Sequence, residues 1–275
     1  GNGSLRQAIM DANTNASTDT IRFNISGTGV KTINLTAALP PITSPVTIDG
    51  TTQPGYSNIT PVIEINGASA GPAIGLELQS GNNVLKALAI NRFQFSGVVI
   101  QTNGGNVIER CFIGTDPSGT MARGNGTSGV SDGITIVYAP GNFIGPSNVI
   151  SGNGQYGIAI MGSPASSNRI EGNFIGTDRF GSNSIPNRDG IGIRDGPRNI
   201  IGGADPAARN CISGNIEEGI EIAGIHAVSN SVAGNFIGLN RSGLSGLSNG
   251  RNGILISTTT DTNFPGPASA TIIGG

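Results

Sequence analysis

Two acidic residues occupy equivalent places in a repeated sequence pattern. Asp189 comes directly before the segment GIGI at residues 190–193, and Glu218 comes directly before GIEI at residues 219–222. If these segments form adjacent strands, the two carboxylates lie about 5 Å apart, which is the separation found in retaining glycosidases. The pair is therefore a candidate catalytic site for polysaccharide cleavage.

Charged residues close to this pair are candidates for ligand binding. They are Arg188, Arg194 and Asp195 beside the first segment and Glu221 in the second. The alternative interpretation is a solvated column of loop residues, in which the arginines offset repulsion between the acids. The residue before the strand in five successive coils is Asp132, Tyr156, Asp189, Glu218 or Asn252. We favour the solvated column over a ligand-binding site.

Other catalytic and metal-binding signatures are missing from the sequence. It contains no Asp-Asp pair, no Asn-Thr-Asp, no Arg-x-Lys and no calcium-binding nonapeptide repeat. His226 is the only histidine and has no second His or Cys ligand nearby, so we expect it on the surface and predict neither a metal nor a cofactor. Asp116 and Asp178 are replaced by Asn240 in the next repeat, which favours a turn-capping role.

An internal repeat positions these residues. Nine-residue segments begin at Asn106 (NVIERCFIG), Asn168 (NRIEGNFIG) and Asn230 (NSVAGNFIG), spaced by 62 residues. A second motif, at Asn148 (NVISGN) and Asn210 (NCISGN), has the same spacing. A Gly-apolar-x-apolar segment recurs within each unit, so one unit contains two coils of three short strands.

Strands this short cannot bury an apolar face alone, and no helical pattern separates them. Stacking each coil on the previous one buries the isoleucines and pairs the strands in parallel. The sequence therefore predicts an all-β fold, a single right-handed parallel β-helix. Residues 1–70 would hold a cap helix and the first irregular coils, with strands at 20–25, 31–35, 46–50 and 62–67. Residues 71–275 would form the regular coils of the same continuous domain.

Asparagine recurs at the turn before the second strand of the coil. A stacked column of Asn side chains can pass amide hydrogen bonds from coil to coil, so we predict a structural role. The column consists of Asn83, Asn106, Asn142, Asn168, Asn199 and Asn230, with Thr271 in the last coil.

The two cysteines are expected to be free thiols. Cys111 and Cys211 would lie three coils apart, or roughly 14 Å, whereas the Cα atoms of a disulfide lie within about 7 Å. Cys211 replaces Val149 of the preceding unit, so we expect a small core residue there.

The ends of the stack differ in sequence. Ser4 is a candidate N-cap of a short helix ending at Asn13, with Leu5, Ala8, Ile9 and Ala12 on one face, and this helix would cover the first coil. The other end has no such segment. We therefore expect the natural chain to continue past residue 275, or a second molecule to stack there head to tail.

The outer surface is predicted to be weakly polar, with projecting loops. Residues 115–131, 177–188 and 239–251 leave the same edge in every second coil and should form a ridge, whereas residues 258–268 should project alone. The outward position of the Gly-apolar-x-apolar strand is Glu77, Val99, Thr135, Ala159, Gly192, Glu221 and Leu255 in successive coils.

Charge and hydropathy exclude some classes of partner. The net charge is −2 with no basic cluster, which argues against nucleic acid binding. No stretch reaches the roughly 18 apolar residues of a membrane-spanning helix. With 45 glycines and 4% aromatic residues, the composition is typical of many tight turns around an aliphatic core.

Several segments resemble a family of large secreted bacterial right-handed β-helix repeat proteins that often open with a CSLREA-type segment. The similar pieces are GSLRQAI at residues 3–9 with Ala12-Asn13, VTIDGTTQPG at 46–55, GNFIGTD at 172–178, IGG at 201–203 and NCISGN at 210–215. Gly3 stands where the family has Cys. The resemblance implies this fold and a secreted or cell-surface setting, and it supplies no catalytic residues.

Two functional hypotheses follow. The first is a non-catalytic extracellular module, such as an adhesin stalk or a fibre component, with glycans or cell-surface molecules as candidate partners. The second is a polysaccharide-binding or polysaccharide-cleaving β-helix protein that uses the side of Asp189 and Glu218. We favour the first, because the outward column carries no concentrated charge.

Overall fold

The structure is a computed structural model that describes residues 3–15, 17–57, 59–126, 131–259, 266–268 and 271–274. One helix, α1 (Leu5–Ala12), precedes three long sheets of short strands. Sheet 1 contains, in spatial order, β1 (Asp19–Arg22), β3 (Val46–Asp49), β6 (Val84–Lys86), β9 (Val107–Glu109), β12 (Phe143–Ile144), β15 (Arg169–Ile170), β18 (Ile200–Gly202), β21 (Ser231–Ala233) and β25 (Ile272–Gly274). Sheet 2 contains β2 (Lys31–Asn34), β4 (Ile63–Asn66), β7 (Leu88–Asn91), β10 (Phe112–Ile113), β13 (Val149–Ile150), β16 (Phe174–Ile175), β19 (Cys211–Ile212) and β22 (Phe236–Ile237). Sheet 3 contains β5 (Leu76–Leu78), β8 (Val98–Gln101), β11 (Ile134–Val137), β14 (Tyr156–Met161), β17 (Asp189–Arg194), β20 (Ile220–Ala223), β23 (Ile254–Thr259) and β24 (Gly266–Pro267).

Strands pair in parallel with the equivalent strand of the next coil, apart from the antiparallel pair of β23 and β24. Within sheet 3, Ile158 aligns with Ile134 on one side and with Ile191 on the other. The chain therefore visits the three sheets in turn before returning one level higher. The predicted parallel β-helix is confirmed.

The interior consists of stacked aliphatic side chains. Ile136, Ile160, Ile193 and Ile222 form one fully buried column of sheet 3. Alternate residues point outward, because successive side chains of a strand face opposite sides of the sheet. The core therefore repeats identically from coil to coil.

The glycine of the Gly-apolar-x-apolar motif is required by backbone proximity. A Cβ atom on Gly190 would lie 2.3 Å from the carbonyl oxygen of Gly219, and one on Gly157 would lie 2.8 Å from that of Gly190. Any larger residue here would push adjacent coils apart. The motif recurs because every coil repeats this close approach.

Asparagine columns lie at all three corners of the coil. In the column before sheet 1, the Asn83 amide nitrogen donates to Asn106 at 2.8 Å, and this contact repeats up to Asn199, whose backbone N–H donates to Asn230. Two further columns, which sequence analysis did not identify, precede sheets 2 and 3. They are Asn148, Asn173, Asn210 and Asn235, and Asn125, Asn153, Asn187, Asn215 and Asn249.

Helix α1 covers the first coil as predicted. The Ser4 hydroxyl accepts the backbone N–H of Gln7 at 3.2 Å, and Leu5, Ile9 and Ala12 are buried in the same core as the strands. The predicted strands of the irregular coils match β1 to β4 within two residues at each boundary, apart from the later end of β1. That strand ends at Arg22 rather than at residue 25.

Both cysteines are free and buried, as expected, but they face opposite sides of their sheet. Cys111 lies in the interior, whereas Cys211 points outward from sheet 2, in register with Phe174. Its thiol is buried because Leu239 of a loop covers it, with the sulfur 3.4 Å from the carbonyl oxygen of Leu239. Strand alternation explains the outward direction of Cys211: the inward position is the following residue, Ile212.

The first two loops of the ridge begin with compact turns, at residues 116–121 and 178–182. The Asp116 carboxylate accepts the backbone N–H groups of Thr120 and Met121, and Asp178 does the same for Phe180 and Ser182. Their capping role is confirmed. The central part of the predicted projecting loop, residues 260–265, lies outside the described residues.

Candidate functional site

The candidate residues lie on the outer face of sheet 3. Three outward columns run along it: the residue before the glycine, the residue two after it and the residue four after it. Tyr156 aligns with Asp189, Gly192 aligns with Glu221, and Met161 aligns with Arg194. The register also places Asp189 and Glu218 in adjacent coils, as the repeat predicts.

A polar cluster crosses these columns. The Tyr156 hydroxyl donates to Glu221 Oε2, Arg194 donates to the same hydroxyl at 2.7 Å, and Arg194 forms an ion pair with Glu221 at 3.3 Å. The Arg194 guanidinium also lies 5.6 Å from the centre of the Tyr156 ring. We call Tyr156, Arg194 and Glu221 the sheet 3 cluster.

The absence of a side chain at Gly192 leaves the space that the Tyr156 ring occupies. A Cβ atom on Gly192 would lie 2.6 Å from a ring carbon of Tyr156. The ring therefore lies across the bare backbone of β17 and reaches a glutamate two coils away. The middle outward column, which contains Gly192, is poor in charge, as predicted. Side chains from the two flanking columns extend over it.

The acidic column beside this cluster holds the coils together. Asp132 accepts the backbone N–H of Tyr156 at 3.1 Å, and Asp189 accepts that of Glu218 at 2.8 Å. Glu218 in turn accepts the N–H of Asn252 at 2.8 Å. All three carboxylates are buried and bind the backbone of the following coil.

Burial dominates the electrostatics of this face. It raises the pKa of Asp132 from 3.8 to about 6, against hydrogen bonds from Thr135 and the Tyr156 backbone and the charge of Arg194. Burial also raises the pKa of Asp189, and Glu217 and Glu221 add to that increase. The pKa of Tyr156 is raised by burial and by its hydrogen bond to Glu221, so the phenol stays protonated and supplies no base near neutral pH.

The structure brings together only some of the predicted ligand-binding residues. Arg194 and Glu221 are in contact, whereas Arg188 lies at the edge and forms an ion pair with Glu217 at 3.1 Å. Asp195 turns away at the corner, with φ of +68°. Its carboxylate lies 2.7 Å from Nδ1 of His226, whose side chain is 57% exposed.

Sequence analysis placed Tyr156 in the acidic column but gave it no role. The signal that identifies it is the combination of an aromatic residue in one coil with glycine at the outward position of the next. Within the described residues, no group of three or more His, Cys, Asp or Glu side chains is arranged to hold a metal ion. No helix in the described part of the chain is long and apolar enough to cross a membrane.

Comparison with known proteins gives no family assignment: no protein-family model matches the chain, and no curated protein matches it.

Proposed function

We propose that the protein is a non-catalytic extracellular module, a stalk or fibre element whose rigid β-helix presents its faces and loops at a bacterial surface. The observation that carries the proposal is the engagement of Asp132, Asp189 and Glu218 by backbone N–H groups of the next coil. A catalytic acid or base must exchange its proton with the substrate, whereas these carboxylates are used to hold adjacent coils together. The setting and membership of the secreted β-helix repeat family rest on the resemblance of the sequence segments.

The proposal is tested by incubating the protein with a panel of uronate and neutral glycans. We expect no cleavage by the wild type, measured by new reducing ends and by absorbance of unsaturated uronates. Cleavage that disappears in Asp189→Asn or Glu218→Gln would overturn the proposal and identify a carboxylate-dependent enzyme. Circular dichroism of both variants shows whether the coils remain intact.

A polysaccharide-cleaving protein is the second candidate function. The raised pKa of Asp132, about 6, favours it, because an acid whose pKa is raised towards neutrality is suited to proton donation in mildly acidic solution. This candidate predicts turnover that depends on Asp132 and survives Asp11→Asn, a change on the exposed side of α1. Equal turnover by wild type and Asp132→Asn would exclude Asp132 as the acid.

We also propose head-to-tail self-association of the protein. Ile272 and Ile273 of the last described coil are 70% and 50% exposed, and Ile256 is 44% exposed. Exposed apolar side chains at one end of a β-helix favour stacking of a second copy. Sedimentation velocity should show concentration-dependent growth that a polar cap fused after residue 275 abolishes. A species that stays monomeric at all concentrations contradicts the proposal.

A further inference from the structure

A groove lined by aromatic and cationic side chains runs along the outer face of sheet 2. Its floor is the outward column of five successive coils: Phe112, Val149, Phe174, Cys211 and Phe236. Two cavities, of about 260 and 400 Å³, lie along this floor and share Ser147, Phe174 and Arg241 in their linings. Phenylalanine recurs in every second coil because it belongs to the 62-residue repeat.

The described turns of the ridge line one side of this groove and are hydrogen-bonded to one another. The backbone N–H of Arg179 donates to the carbonyl of Gly119 at 3.0 Å, and that of Arg241 donates to Gly181 at 2.9 Å. Each loop is therefore fixed to the next. A Cβ atom on Gly181 would lie 2.9 Å from the Phe174 ring, so the loop also rests directly on the floor.

Three guanidinium groups are spread over aromatic rings around the groove. Arg241 lies 5.3 Å from the ring centre of Phe174, and Arg179 lies 4.5 Å from that of Phe180. On the opposite wall, the Arg209 guanidinium lies 4.4 Å from the ring centre of Phe236. Such stacking fixes the orientation of an arginine. Arg179 donates through Nη1 to the Thr60 hydroxyl, and Arg209 donates through Nε to the carbonyl of Gly234 at 2.7 Å. A guanidinium carries five N–H donors, so each of the three arginines keeps others for an anion.

These positive charges are not neutralised by the described parts of the protein. Each ion pair among the described residues involves other cations, so no carboxylate pairs with Arg179, Arg209 or Arg241. Asp178 is the one acid in the middle loop of the ridge, and its side chain is buried. Its carboxylate points into the turn of the same loop, where it accepts a hydrogen bond from the side-chain amide of Asn183 at 2.7 Å. Arg179 Nε is buried without a hydrogen-bond partner.

We infer that this groove binds a linear acidic polysaccharide that carries a carboxylate on every disaccharide along one side. Arg179 and Arg241 are equivalent residues two coils apart, so their anchoring points are separated by about 10 Å. An extended 1,4-linked glycan repeats by a disaccharide over a comparable length, which lets successive carboxylates meet successive arginines. Planar guanidinium groups bind carboxylates through two parallel hydrogen bonds, and the Phe floor offers an apolar surface for the sugar rings.

An extended acidic peptide fits this spacing less well. Side chains on one face of a strand repeat at about 6.7 Å and then about 13 Å, because every second residue faces the same way. Acids on one side of a peptide would therefore fall out of step with the arginines. A nucleic acid strand would require more cations than the groove supplies.

This inference names a ligand for the proposed display function. It rests on the proposed function in one respect, namely that the bound polysaccharide is not cleaved. Calorimetric titration of the intact protein with a uronic acid hexamer, a neutral 1,4-linked hexamer and a polyglutamate peptide tests it. We expect binding of the uronate alone, weakened by salt. Loss of one bidentate contact in Arg241→Gln or Arg179→Gln should weaken binding about tenfold, with a smaller effect in Arg241→Lys.

Arg169→Gln is the matched control. Arg169 also stacks on a phenylalanine, 5.2 Å from the ring centre of Phe143, but its donors are taken by Glu171 at 2.8 and 3.0 Å. It should bind the uronate like the wild type. The inference is overturned if the neutral hexamer or the peptide binds as well, if the uronate does not bind, or if the control loses as much affinity as Arg241→Gln.

Chromatography of the recovered uronate separates this inference from the proposed function. Intact ligand after binding agrees with both. If the uronate binds and is cleaved, the groove is still its binding site, but the proposal of a non-catalytic module is contradicted. Absence of binding, together with absence of cleavage, contradicts the groove alone.

Discussion

Replacing Asp132 by asparagine should stabilise the protein at neutral pH. Asp132 is 4% exposed, and burial raises its pKa from 3.8 to about 6. A difference of about two pKa units corresponds to about 3 kcal/mol of interaction lost when the carboxyl ionises. An asparagine can still accept the Tyr156 N–H at the oxygen that now accepts it, and its amide can donate to Thr135, so the variant keeps both contacts without the charge.

The sign of the pH dependence follows from the raised pKa. The folded protein binds the Asp132 proton more tightly than the unfolded chain does. The stability that this proton provides is therefore fully present below pH about 4 and is lost as the pH rises through about 6. Asp132→Asn lacks this titration, so its free energy of unfolding should match that of the wild type near pH 4 and exceed it by up to about 3 kcal/mol at pH 8.

Urea unfolding of both proteins from pH 4 to pH 8, followed by circular dichroism, measures this difference. Carbon-13 NMR of the carboxyl groups should show one aspartate titrating near pH 6 that is missing in the variant. Asp11→Asn, at an exposed position of α1, is the control for removing one carboxylate elsewhere in the protein. A constant difference between wild type and Asp132→Asn across the range, or an Asp132 resonance that titrates below pH 4, would refute the reasoning.

Three further predictions concern the scaffold. Gly192→Leu should displace the Tyr156 ring, because even a Cβ atom would lie 2.6 Å from it, and ultraviolet absorbance should report a more exposed tyrosine; an unchanged tyrosine spectrum would contradict the contact. Asn168→Leu should lower the free energy of unfolding by about 3 kcal/mol, because it strands buried donors and acceptors of the Asn column, and urea unfolding with an unchanged midpoint would contradict this. Burial raises the pKa of the Cys111 thiol to about 12 and that of the Cys211 thiol to about 11. Iodoacetamide at pH 8 should therefore label neither thiol until the chain unfolds, as followed by mass spectrometry. Rapid labelling of the native protein would show instead that the thiols are accessible.

Much of the fold follows from spacing alone. The 62-residue period and the alternation of isoleucine with small residues require parallel stacking, because no other arrangement buries such short strands. The position of Asn168 over Asn142 and Asn106 is a direct consequence of that period. The cap helix follows from the Ser4 N-cap and the apolar face of the next eight residues.

Contacts between coils were decided only by the tertiary structure. Tyr156 and Glu221 are 65 residues apart and belong to different outward columns, so no pattern within one coil indicates that they meet. The same holds for the pKa of Asp132, since burial depends on what neighbouring coils place over it. The direction of Cys211 also emerged only from the structure: it points outward from sheet 2, and Leu239 of a loop lies over its thiol. A repeat in sequence determines which residues lie at the same level and column, whereas the direction in which long side chains lean depends on the space that their neighbours leave.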